Sequence, residues 1–158
     1  EQISDLNKIS DFFKNQMCLN MDSDFKNCYE RIPHEYLEAT WNGFWTNIDF
    51  EKQKELYGQI SKSTEYKTWK ETKSLCNNST GKYYKYLFDL GNQNPRIAKY
   101  AERINASGDF NGLDIQYWNV LNEKKHFDLN NPNIQLILAI HYLSLNDQEK
   151  RNQKWIAE

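Results

Sequence analysis

The sequence predicts an all-α domain, a compact multi-helix bundle of short antiparallel helices, on three observations. The first is a shortage of strand formers: one valine, Val120, and six threonines stand against fourteen leucines and twelve isoleucines in 158 residues. Strands favour β-branched residues because these pack well on a pleated surface. The second is a shortage of turn formers, with six glycines and three prolines, where a many-stranded fold needs frequent tight turns. The third is that apolar residues recur at spacings of three and four along nearly the whole chain.

Taken in order, Ser4 can cap a first helix bearing Leu6, Ile9, Phe13 and Met17. Ser23 can cap a second, in which Phe25, Cys28, Tyr29 and Ile32 follow the i, i+3, i+4, i+7 pattern. Pro33 ends it and opens a third helix with an aromatic stripe of Leu37, Trp41, Phe44, Trp45 and Ile48, interrupted by Gly43. Asp49 starts a fourth, carrying Leu56, Tyr57 and Ile60. A fifth is expected from Thr64 to Cys76, with Tyr66 and Trp69 on one side. The loop from Asn77 to Gly81 follows, and Thr80 can cap a sixth helix that Gly91 stops.

Asn94-Pro95 and Asn131-Pro132 each place a capping amide before a proline at the first helical position. They open a seventh helix with Ile97, Tyr100, Ala101 and Ile104, and a ninth from Ile134 to Leu145 that is apolar almost all round. Between them an eighth is expected over Leu113 to Lys125. Asn146 and Glu149 have the spacing of a reciprocal cap, which predicts a separate last helix bearing Trp155. The prolines 95 and 132 are 37 residues apart, so a helix-hairpin repeat array is the alternative architecture.

Length and charge narrow the class. A chain of 158 residues suits one domain, 1–158, and can bury roughly 70% of its unfolded surface without a metal or disulfide lattice. Twenty basic and 22 acidic residues give a net charge of −2, which lacks the concentrated basic surface that nucleic acid requires. No apolar run approaches the roughly 20 residues of a membrane span.

Cysteine usage bears on the compartment. Cys18 and Cys28 flank a polar turn between two expected helices, so a bridge there would fasten a helical hairpin, with Cys76 left free or pairing instead with one of them. Three buried thiols in a reducing compartment are the alternative. The chain opens on Glu1 without a signal-peptide pattern, which reads as a removed or trimmed segment. Together these favour a periplasmic or secreted protein. Asn77, Asn78 and Asn105 each open an Asn-x-Ser/Thr sequon, but nineteen asparagines produce such matches by chance.

Little in the sequence points to catalysis. There is no glycine-rich phosphate loop, no Gly-x-Ser-x-Gly elbow and no Cys-x-x-Cys pair. His34 and Glu38 share a helical face beside Glu35, but a zinc-protease motif needs a second histidine at position 38. Cys76 has no local partner signature of a nucleophile. His141, between Ile140 and Tyr142, reads as a hydrogen-bonded core histidine. No cofactor is expected.

The aromatics are the unusual feature: five Trp, ten Tyr and eight Phe. In Lys82-Tyr83-Tyr84-Lys85-Tyr86, tyrosines occupy more than one side of a helix. Tyr83 should point inward with Leu87 and Leu90, and Tyr84 or Tyr86 should reach solvent. Tyrosine suits interfaces because it offers large area and a polar tip at low entropic cost. Lys82, Tyr84, Lys85 and Tyr86 are therefore the expected partner-binding residues, facing a protein with an acidic surface. The function expected on these grounds is a non-catalytic protein-binding module of inhibitor or immunity type. The alternatives are a carrier of an apolar ligand lined by Trp41, Trp45, Tyr117 and Leu138, and a hydrolase with a dispersed site using His34 and Glu38.

Overall fold

Helix α7, Pro132–Ala157, is the longest element among the described residues, and every residue from Ile134 to Asp147 within it is buried. A computed structural model describes residues 2–18, 26–32, 48–60, 66–69, 72–75, 82–107 and 118–157. In chain order these form α1 (Gln2–Met17), α2 (26–32), α3 (Phe50–Ile60), β1 (Tyr66–Trp69), β2 (Thr72–Leu75), α4 (Lys82–Gly91), α5 (Pro95–Ser107), α6 (Trp118–Asn122) and α7. The all-α class holds, with one small β-hairpin added. Helices α1 and α3 pack against α7 and against each other, α4 packs on α5, and β2 touches α3 and α7. The expected third helix, with Leu37, Trp41, Phe44 and Trp45, lies outside the described residues.

An apolar helix surface must be covered on all sides, which is why α7 organises the rest. Ile137, Leu138, Ile140 and Leu143 join Ile9 and Phe13 of α1 in one hydrophobic core. Phe13 stacks on Tyr142 with ring centroids 6.4 Å apart and tilts against Tyr29 of α2 at 5.6 Å. Cys18 and Cys28 are joined by a disulfide across 5.6 Å between Cα atoms, and Arg31 Nη2 donates to the Met17 carbonyl at 2.7 Å. The end of α1 and the body of α2 are thus held together by a covalent bond, a hydrogen bond and a ring contact.

Several starts and stops obey their local signals. Asp49 Oδ1 accepts from the Glu51 and Lys52 amides at 3.0 and 3.2 Å, capping α3. Asn94 Oδ1 accepts from the Arg96 amide at 3.1 Å, and Asn131 Oδ1 from the Asn133 amide at 2.9 Å, so both Asn-Pro pairs open helices. Asn94 also donates through Nδ2 to the His126 carbonyl at 2.6 Å. Arg96 forms a bidentate pair with Glu123, and Lys124 pairs with Glu30 at 3.3 Å. The turn after α6 therefore ties α5 to α2.

Other elements differ from the sequence reading. Helix α1 begins at Gln2, so Ser4 is an exposed interior residue and not its cap. The expected fifth helix is the hairpin β1–β2, antiparallel, with Tyr66 opposite Leu75 and Trp69 opposite Thr72. Tyr66, Thr68 and Trp69 are strand-favouring residues, and Tyr66 and Trp69 only mimic a helical spacing of three. Of the expected eighth helix, α6 ends at Asn122 and residues 124–126 form a turn.

The expected break at Asn146 is absent, because α7 runs through it. Asn146 is buried, and its Nδ2 donates to Gln53 Oε1 of α3. Gln53 in turn donates through Nε2 to the Tyr57 hydroxyl and the Leu143 carbonyl, each at 2.7 Å. A partner across the core removes the reason for Asn146 to turn back on its own backbone.

Gly91 ends α4 as expected, yet a further constraint acts on it. A Cβ there would lie 2.9 Å from the Ala98 Cα, so the glycine lets α4 and α5 approach closely. Gly91→Ala is expected to destabilise by about 1–3 kcal/mol in urea unfolding, since the obstacle is backbone that cannot swing away. Cys18→Ala/Cys28→Ala is expected to cost about 2–3 kcal/mol in the same measurement, the chain-entropy value for so short a loop.

Candidate partner-binding face

Helix α4 presents three kinds of surface. Its inner side carries Leu87, fully buried, with Tyr83 and Leu90 packed against the core. One flank carries Gly91, pressed on Ala98 of α5. The opposite side carries Lys85, Phe88 and Asp89, all exposed, with Tyr84 half-buried at its edge. Phe88 stands 57% exposed, the large hydrophobic side chain left in solvent among the described residues. Tyr84 and Phe88 are four apart and form one aromatic stripe, with Lys85 and Asp89 placing opposite charges beside it.

Of the four residues expected to meet a partner, Lys85 is exposed. Lys82 is the first residue of α4, and its side chain lies outside the described ones. Both tyrosines are half-buried, so each keeps part of its surface in solvent. Tyr84 leans on the core from its edge. Tyr86 reaches back toward α7, where its hydroxyl donates to Asn133 Oδ1 at 2.9 Å, and its ring stacks on Tyr83 with centroids 6.2 Å apart. Burial pushes the Tyr86 phenol up to about 12, so it is a neutral donor at any physiological pH. A wheel gives the direction in which a side chain leaves the helix; a long phenol can still fold back onto its neighbours. Phe88 takes the exposed place, and its signal was the spacing from Tyr84.

The core holds one other functional candidate. His141 is fully buried on α7, with Nδ1 3.1 Å from the Tyr100 hydroxyl of α5 and its ring edge-on to Tyr100 and Tyr142. Burial pushes its imidazole down to about 3, so it is neutral. A neutral imidazole sealed from solvent cannot exchange protons with a substrate. Leu138, expected to line a ligand pocket, is a core residue. Its expected companions Trp41, Trp45 and Tyr117 lie outside the described residues, as do His34, Glu35, Glu38 and Cys76. Among the described residues no cluster of His, Cys, Asp and Glu could hold a metal ion, and no helix is long and apolar enough to cross a membrane.

No family model, curated protein or solved structure matches this chain.

The α4 face can be separated from the core by mutation. Phe88→Ala is expected to change unfolding free energy by no more than about 0.5 kcal/mol, as at other solvent-exposed positions. Leu87→Ala, one residue away, is expected to cost about 2–5 kcal/mol because it opens a cavity. Chemical denaturation of both variants checks the contrast.

Proposed function

We propose that this chain is a non-catalytic protein-binding module of inhibitor or immunity type, exported or periplasmic, which grips another protein with the outer face of α4. The observation that carries this reading is Phe88, a large aromatic ring left in solvent between Tyr84 and Lys85. An exposed aromatic anchor with a polar rim has the composition of an interface hot spot, where a few residues supply most of the binding energy. Lys85 favours an acidic group on the partner, and Asp89 limits that acidic patch to one end of the face. The Cys18–Cys28 disulfide supports export, because such bonds persist in oxidising compartments.

The test is capture of the partner by the tagged chain from its native host, followed by affinity measurements with defined variants. Phe88→Ala is expected to weaken binding by about tenfold or more, the loss typical of a central aromatic anchor. Lys85→Glu should slow association, with a smaller effect at high salt. Glu55→Ala, an exposed change on α3, should leave affinity as it is. Equal affinity across all three variants overturns the reading.

A further inference from the structure

Helices α5 and α7 meet at a fully buried polar contact. Tyr100, fully buried, brings its hydroxyl to Nδ1 of the fully buried His141. Among the described residues, Nε2 of His141 has no hydrogen-bond partner. This arrangement suits the neutral ring alone. A neutral ring can donate from Nδ1–H to the Tyr100 hydroxyl and leave Nε2 bare; a protonated ring adds a charge and an N–H at Nε2, which has no acceptor among the described residues.

Among the described residues, the side chains that touch the ring carry no charge. From α5 the titratable group facing the ring is Tyr100, and from α4 it is Tyr83, whose side chain interacts with Tyr100. On α7 itself it is the phenol of Tyr142, and α1 contributes the apolar ring of Phe13 against that tyrosine. Gln53 and Tyr57 of α3 bind each other, Leu143 and Asn146. Asp5 of α1 and Asp147 of α7 are the buried acids among the described residues, and the His141 pKa is lowered by burial. A cation at this place calls for water at Nε2, and parting α5 from α7 at the Tyr100–His141 contact would admit it.

We propose that the Tyr100–His141 contact is an acid-sensitive latch: protonation of His141 opens the α4–α5 hairpin away from α7. The moving part is the hairpin because α4 and α5 pack on each other through Gly91 and Ala98, while polar contacts tie them outward: Tyr86 to Asn133, Asn94 to the His126 carbonyl and Arg96 to Glu123. It is the same unit that carries Phe88, but the latch stands on the α5–α7 contact and does not depend on what α4 binds.

The sign follows from linkage. Burial lowers the His141 pKa in the closed protein to about 3, against 6.5 for a solvated ring. The closed form is therefore fully favoured above pH 6.5 and loses ground as pH falls from 6.5 toward 3. Between about pH 6.0 and 5.0 one proton taken up on opening raises the opening constant about eightfold. That interval lies above the range in which ordinary carboxylates titrate.

The test is amide hydrogen exchange of the intact, oxidised chain, corrected for intrinsic rates, read separately in α5, α4 and α1. The expected result is an about eightfold rise in opening of α4 and α5 between pH 6.0 and 5.0, with α1 unchanged, as one-proton linkage requires. His141→Gln should abolish the rise, while His126→Gln, at a half-buried turn position, should retain it. Tyr100→Phe keeps the buried imidazole, so it should raise opening at both pH values and leave the slope intact. The latch is overturned by a flat response in the parent chain, by a slope that persists in His141→Gln, or by α1 opening in step with the hairpin.

Discussion

Between Ile134 and Asp147, α7 has no solvent face, and this is the constraint on which the other elements depend. A helix buried all round must have its apolar side chains covered and its polar side chains answered, since an unmet polar group in the interior costs as much as a lost hydrogen bond. The polar residues on this stretch accordingly fix what lies next to it. Gln135 donates to the Leu129 carbonyl at 2.7 Å and so draws the preceding loop against the helix. Ser144 donates to the Ile140 carbonyl of its own helix. Asn146 requires Gln53, which locates α3, and His141 requires Tyr100, which locates α5. The apolar contacts alone would tolerate sliding; these directional ones select a register.

Much of this was legible from short-range chemistry. Asp49, Asn94 and Asn131 cap the helices they were expected to cap, because a cap and its amides lie within three residues of each other. The spacing of Cys18 and Cys28 across a polar stretch of sequence likewise suits the bond between them. The all-round apolar run of α7 marks the central helix by itself. In each case the partner sits nearby in sequence, or the pattern is complete within one helix.

What was not legible depended on distant partners. Asn146 has the local spacing of a cap, and only Gln53, 93 residues away, makes it a helix-interior residue. The hairpin at Tyr66–Leu75 was hidden by two aromatics three apart. The clustering of Thr64, Thr68 and Thr72, half of the chain's six threonines, was the signal available for it. On α4, helical spacing grouped the residues into faces correctly. It could not show that Tyr86 would fold back to Asn133 and leave Phe88 as the exposed ring, since that depends on where α7 begins. Gly91 carried its correct role as a stop, while its second role depends on Ala98 and the closeness of α5.

The inner side of α4 reaches the buried imidazole through a set of rings. Tyr83 stacks on Tyr86 and interacts with Tyr100, and Tyr100 meets His141. A partner that recognises α4 only when the hairpin is seated on α7 binds the closed form and not the open one. Mass action then makes such a partner stabilise the Tyr100–His141 contact, by an amount that grows with its concentration over its dissociation constant. Reciprocity requires the converse: protonation of His141 weakens that partner by the same factor by which the partner resists protonation. The coupling needs no charged residue in the interface itself. It arises because the helix that displays Phe88 is seated on a core that accepts a neutral imidazole and excludes a charged one.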